Sequence, residues 1–132
     1  MSDDRFDRGM ELRRAVMGDQ YVDRAEANKT DLTADFQHLI TEFAWGSVWS
    51  RPGLEPKTRS MLTIAILATL RQYTELTAHI RASMNTGVSQ EELTEILLQV
   101  AVYAGVPAAN SAFAIAQKVY AEASESTQED KK

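Results

Sequence analysis

Apolar residues along the chain recur at intervals of three and four rather than two, which is the period of a helix, and no stretch alternates as a half-buried strand would. The first segment of this kind runs from about Asp3 to Met17, turns Phe6, Met10 and Val16 towards a core, and is placed to end at Gly18. A short helix over Val22–Asn28 follows. A long one from Asp31 to Trp49 then carries Phe36, Leu39, Ile40, Phe43 and Val48 as its core side and breaks at Ser50-Arg51-Pro52-Gly53. Glu55 and Pro56 open the next helix in the favoured way, with an acid at the cap and proline at the first helical position. Its body, Met61 to Leu70, is apolar nearly all round apart from Thr63 and Thr69, which predicts burial on every side, in the centre of the domain or in a subunit interface.

Tyr73 to Thr86 reads as a helix closed by Gly87, and Ser89 with Glu92 forms a capping box that starts another, burying Leu93, Ile96, Leu97, Val100 and Ala104. Gly105-Val106-Pro107 makes a break before a small-residue helix from Pro107 to about Ala123. Ser124 to Lys132 is polar without period and predicts a disordered tail. The pattern as a whole predicts an all-α fold of about six to seven helices, forming a single domain over residues 1–123.

Composition narrows what such a fold can do. A chain of 132 residues with 44% hydrophobic content can bury a real core, and apolar helix faces left over are commonly covered by another copy, which predicts a homo-oligomer. The net charge of -5 offers no long-range attraction to phosphate backbones or anionic membranes, so neither nucleic acid nor a membrane is expected as a partner. The absence of cysteine excludes disulfides, thiolate metal sites and cysteine nucleophiles, and two histidines leave little for a metal cluster. The charged start MSDDRFDRG has no apolar signal-peptide core, and no apolar run is long enough to span a bilayer, so a cytoplasmic protein is expected.

Between Arg51 and Arg81 the charge balance inverts: Arg51, Lys57, Arg59, Arg71 and Arg81 face only Glu55 and Glu75. A cationic patch on an acidic protein suits a small anion, and the planar fork of arginine bonds both oxygens of a carboxylate. Composition alone favours solvated helix ends. In the following helix Gln72, Glu75 and His79 share one face, and a carboxylate one turn from an imidazole can raise its pKa and orient it for proton transfer. A half-buried histidine without a catalytic role explains the same residues. His38 lacks such company and reads as a surface residue, while Trp45 and Trp49, one turn apart near Glu42, suit either a pocket wall or a core anchor. The helix start at Gly105–Asn110 offers backbone N–H groups to an anion, a weak signal that every helix shares.

Three stretches together, Glu26-Ala-Asn-Lys-Thr30, Ala44-Trp-Gly-Ser-Val-Trp-Ser-Arg-Pro-Gly-Leu54 and Pro56-Lys-Thr-Arg-Ser-Met-Leu-Thr63, resemble the carboxymuconolactone decarboxylase family. Ala78-His79, Arg81-Ala82, the Gly87 to Glu92 helix start and Tyr103-Ala-Gly-Val-Pro-Ala-Ala-Asn-Ser-Ala-Phe113 match as well, so the resemblance covers roughly Arg8 to Glu122. In the alkylhydroperoxidases of the wider (AhpD-like) superfamily the active helix carries two cysteines ahead of the histidine; here they would fall at Gln72 and Glu75. The superfamily's proton-relay glutamate would fall at Ser60. The peroxidase machinery is therefore missing, and of it only His79 remains.

The resemblance implies a ring-like homo-oligomer, a hexamer, with no cofactor. It also implies a carboxy-lyase of protocatechuate catabolism in the β-ketoadipate pathway, converting 4-carboxymuconolactone to 3-oxoadipate enol-lactone and carbon dioxide. Such an enzyme must hold two carboxylates, stabilise an oxyanion-like dienolate and supply a proton, while the lactone itself serves as electron sink. The residues expected to do so are His79 for proton delivery or oxyanion stabilisation, Glu75 orienting it, Arg51 and Arg59 clamping the carboxylates, and Trp45 and Trp49 as ring-facing walls. A non-enzymatic oligomeric module that binds small anions in the same fold is the competing expectation. A redox enzyme is argued against by the missing cysteines.

Overall fold

Gly9 and Gly46 set the architecture of the N-terminal part of the chain. A Cβ on Gly9 would run into the Thr41 carbonyl oxygen and lie 2.7 Å from the Gly46 nitrogen, and one on Gly46 would run into the Arg5 carbonyl. Two backbones can approach this closely only where side chains are absent. The computed structural model of the chain describes residues 4–130. Among these, helix follows helix: α1 (Arg5–Met17), α2 (Asp19–Ala27), α3 (Ala34–Ile40) with a π-helical continuation (Thr41–Trp49), α4 (Pro56–Leu70), α5 (Tyr73–Thr86), α6 (Gln90–Ala104) and α7 (Val106–Asp130). No strand is present among the described residues, and the all-α expectation holds. They fall into two compact units, one ending at Arg59 and the other beginning at Ser60.

In the first unit α1 lies against the π-helical segment through the two glycines. Beside them Arg13, only 4% exposed, donates to Thr41 Oγ1 at 3.1 Å and to Gln37 Oε1 at 3.2 Å. A buried guanidinium is tolerable only with its donors satisfied, and both acceptors here come from the facing helix. Thr41 in turn donates to the Gln37 carbonyl at 2.9 Å, a back-bond that bends helices, and the Ser50 amide reaches the Trp45 carbonyl five residues back at 3.1 Å. The widened turn thus begins at a threonine and holds a glycine, and π-helical turns are frequent at functional sites.

This packing overturns the expected orientation of the long helix. Its buried residues are Thr41, Trp45 and Gly46, whereas Phe36 (58%), Leu39 (57%), Phe43 (63%) and Val48 (41%) are exposed. The glycine contact and the buried arginine decide the inward face, and the large apolar side chains are left outside. The segment also begins later than expected, at Ala34, and the expected start of α1 at Asp3 lies outside the described residues.

The second unit is built as the apolar pattern predicts for α5 and α6. Leu76 and Ile80 of α5 and Leu93, Leu97 and Val100 of α6 are buried in one cluster, and α7 packs against both helices through small residues such as Ala108 and Ala112. Ala104 is only half-buried. The capping box forms as read, with the Glu92 amide donating to Ser89 Oγ at 3.0 Å and the Ser89 amide to Glu92 Oε1 at 3.0 Å. Two corrections concern α4 and α7. On α4 only Ser60, Ile64 and Ala68 are buried, while Leu62, Ile66 and Leu70 form an exposed row at one-turn spacing, so the helix is not covered all round. The α7 helix continues through Asp130 where a disordered tail was expected from Ser124, and of that tail Lys131 and Lys132 lie outside the described residues. Once a helix exists, each added residue gains a hydrogen bond at small cost, so polar helix-formers extend it without any apolar period.

Two helix ends in this unit use the same left-handed cap with opposite residue choices. Gly87 (φ 89°) ends α5, with the Val88 amide donating to the Ser83 carbonyl at 3.0 Å. Arg71 (φ 58°) ends α4, with its own amide donating to Ala68 at 3.2 Å and that of Gln72 to Leu67 at 3.0 Å. An L-side chain in this region costs about 1–2 kcal/mol, from which the extra chain entropy of glycine subtracts about half. Arg71→Gly is therefore expected to raise stability by about 0.5–1 kcal/mol and Gly87→Ala to lower it by about 1 kcal/mol. Denaturant midpoints of the two variants check both signs.

Candidate active site

The indole pair comes from the π-helical segment. Trp45 is 6% exposed and Trp49 half-buried, with ring centroids 4.7 Å apart and planes inclined at 32°. Residues four apart lie nearly above one another in a turn whose hydrogen bonds span five, which brings the two rings together. The burial of Trp45 makes it a core anchor, one of the two roles its sequence position allows, and Trp49 lies beside it with part of its ring exposed. Arg51, in the loop after this segment, is exposed; Arg59, on the first turns of α4, is half-buried and donates through Nη2 to the Arg51 carbonyl at 3.3 Å. The two arginines are thereby tied to one stretch of backbone. Lys57 is half-buried beside them in sequence.

His38 has company after all. It is exposed as expected, but its ring stacks on Phe6 with centroids 4.5 Å apart, and its Nε2 lies 3.3 Å from Glu42 Oε2. Glu42 also faces Arg5 at 3.8 Å, so it takes part in a surface ion pair.

In the second unit Glu75 and His79 sit one turn apart on α5. Gln72 is the N-cap residue ahead of them, just outside the helix. Glu75 is exposed, while His79 is half-buried and its Nδ1 is out of contact with solvent. Burial holds the His79 imidazole below the ordinary histidine value of 6.5, and the Glu75 carboxylate pulls in the other direction with less force. The expected direction was a rise; the finding is a fall, because desolvation of the imidazolium outweighs one solvent-exposed carboxylate. His79 is therefore mainly neutral at pH 7.

The same helix face holds residues that sequence reasoning did not single out as a group. Ser60 and Ser83 are fully buried, and Thr86 Oγ1 donates to Ser60 Oγ at 2.9 Å and approaches the Ser83 carbonyl at 3.2 Å. Ser60, where the superfamily's relay acid would stand, is thus a buried hydroxyl in a short polar chain joining α4 to α5. The sequence signal for it is a serine within the apolar α4 and, on α5, Ser83 and Thr86 three residues apart on one face. Arg71 and Arg81 do not join His79. Arg71 caps α4, and Arg81 pairs with Glu122 of α7 at 3.3 Å. Among the described residues no group of three acidic or histidine side chains is placed to hold a metal ion.

The described residues are all-helical, the chain has no cysteine, and residues 34–118 match the carboxymuconolactone decarboxylase family. The chain belongs to that family. It is 47% identical over 116 residues to the 4-carboxymuconolactone decarboxylase of Acinetobacter baylyi, covering 88% of this chain and 87% of the relative. A 4-carboxymuconolactone decarboxylase of Pseudomonas putida is 48% identical over 42 residues, 32% of this chain and 88% of that sequence. The nitrosuccinic acid decarboxylase of Metarhizium robertsii is 43% identical over 113 residues, covering 86% of this chain and 79% of the relative.

Proposed function

We propose that this protein is a cofactor-independent carboxy-lyase that converts 4-carboxymuconolactone to 3-oxoadipate enol-lactone and carbon dioxide. The observation that carries the reading is the near-full-length similarity to a decarboxylase of that name, and a half-buried histidine on a helix in a chain without cysteine is in keeping with it. The C–CO2 bond breaks with its electrons left on the ring carbon, from which they pass through the double bond to the lactone carbonyl. One proton added to carbon then gives the product. The name of the fungal relative, nitrosuccinic acid decarboxylase, also describes a dicarboxylic acid with a built-in electron acceptor, here a nitro group. Loss of carbon dioxide next to an intrinsic electron sink is thus the common chemistry of the names, and it calls for no added electrophile.

Each residue then has a separate task. Arg51 and Arg59 bind substrate carboxylates; Trp45 and Trp49 present an apolar wall to the ring; His79 delivers the proton or steadies the oxyanion, and Glu75 favours its charged form. Incubation of the purified protein with the lactone should release carbon dioxide and enol-lactone in equal amounts. Saturable binding of the lactone without carbon dioxide would identify a non-catalytic binding module instead. Arg51→Ala and Arg59→Ala should each raise KM by about ten- to a hundred-fold, the worth of one charge-assisted hydrogen bond pair, with a smaller effect on kcat.

The protein also self-associates on this reading, in a ring of six as its resemblance to the family suggests. The exposed row Leu62, Ile66 and Leu70 on α4 and the outward Phe36, Leu39 and Phe43 are apolar surface of the kind that another copy covers. Light scattering coupled to size exclusion tests it, and a monomer at micromolar concentration would contradict it. No described helix is long and apolar enough to cross a membrane, and we place the activity in the cytoplasm, where small catabolic acids are processed.

A further inference from the structure

On α5, His79 and Glu75 occupy one face, and Thr74, Thr77 and Arg81 occupy the face turned roughly opposite, at the spacing of successive turns. Those three residues border a cavity of about 340 Å³ against α7, whose side supplies Lys118, Glu122 and the apolar Ile115 and Val119. The charges in it are two cations and one carboxylate, a net positive site on a protein whose net charge is -5. Arg81 Nη2 lies 3.3 Å from Glu122 Oε2, with both side chains about half exposed (55% and 49%). An ion pair so exposed is weak and readily exchanges its carboxylate for another. Lys118 is exposed and, among the described residues, has no ion-pair partner. Thr77 donates its hydroxyl to the Tyr73 carbonyl at 2.8 Å, so its hydroxyl proton is committed within α5 and the anion is left to Arg81 and Lys118. The floor is apolar, with Val119 2% exposed and Ile115 half-buried.

We propose that this α5–α7 groove is a second anion site, distinct from the face of His79, which takes the carboxylate of a small organic acid between Arg81 and Lys118 and its carbon skeleton against Ile115 and Val119. The charge count selects the ligand class. A single excess positive charge with Glu122 alongside suits a monovalent carboxylate better than a phosphate dianion, and the apolar floor gives an inorganic ion nothing to bury. The site stands independently of the decarboxylation reading, since no residue in it is assigned a part in that reaction.

An amide-resolved NMR titration of the full chain tests it, with butyrate as probe and inorganic phosphate at matched ionic strength as comparison. Butyrate should shift the amides of Thr77, Arg81 and Lys118 saturably, and Arg81→Gln and Lys118→Gln should each weaken binding by about five-fold or more. Glu122→Gln should tighten it by about two- to five-fold, because it removes the competing carboxylate and releases Arg81, a sign that a purely structural pair would not produce. Lys118→Gln should leave lactone turnover unchanged. The proposal is overturned by an absence of saturable shifts at these amides, by weaker binding in Glu122→Gln, or by phosphate binding more tightly than butyrate.

Discussion

Replacing His79 by glutamine is expected to lower kcat for the lactone by about a hundred- to a thousand-fold, or about 2.7–4 kcal/mol of barrier, while the protein stays folded. Glutamine keeps a similar volume and a polar tip, so α5 should pack as before, but it has no titratable proton to give. The pH dependence separates a proton donor from a mere hydrogen-bond donor. Burial lowers the pKa of His79 below 6.5 in the free protein, so a reaction that needs the imidazolium should show kcat/KM rising as pH falls through that lowered pKa. A substrate with two carboxylates opposes the effect of burial once bound. The corresponding limb of kcat should therefore lie at higher pH than that of kcat/KM, and both limbs should vanish in His79→Gln. A profile flat from pH 5 to 8 in the parent protein would leave His79 as a neutral donor to the oxyanion only.

Gly46→Ala should be, with Gly9→Ala, among the most damaging single-methyl changes. The new Cβ would collide with the Arg5 carbonyl, which is backbone and cannot swing aside, so α1 and the π-helical segment must separate. Separation also stretches the Arg13 bonds to Thr41 and Gln37 and leaves a buried guanidinium short of acceptors. Overpacking a rigid backbone contact costs about 3 kcal/mol, and the loosened arginine adds to it. Urea unfolding should show the loss, and Gly9→Ala should behave alike because its Cβ meets the same partner segment from the other side. Gly53→Ala, where a Cβ meets nothing within 4 Å, is the control that should change little.

The contrast between these two sites shows what was legible in the sequence. The helix that carries His79 was read with its bounds at Tyr73 and Thr86, because its stop at Gly87 and the capping box at Ser89 are local chemistry that needs no tertiary partner. The inward face of the preceding long helix is not legible, because a close approach of Gly9 and Gly46 joins residues far apart in the chain and leaves no periodic signal. Apolar periodicity points to Phe36, Leu39 and Phe43 as core, yet these are exposed while Thr41 and Arg13 are buried. On α4 the same reasoning saw that the helix is apolar nearly all round but not which row this chain leaves uncovered.

The candidate site divides in the same manner. That His79 lies a turn from Glu75 follows from spacing alone. The direction of its pKa shift does not, since burial is a property of the folded chain and here it exceeds the pull of the carboxylate. The tether from Arg59 to the Arg51 carbonyl and the buried Ser60–Thr86 pair likewise needed coordinates, although the polar residues within apolar helices marked where to look.

The most direct test of the central claim, that decarboxylation is completed by a proton held on the protein, is to run the reaction in heavy water and to locate the deuterium in the freshly formed enol-lactone. Delivery from a fixed imidazole reaches one face of the planar dienolate, so the ring carbon next to the lactone carbonyl should carry deuterium at one of its two prochiral positions. Equal label at both positions, with turnover undiminished in His79→Gln, would contradict it.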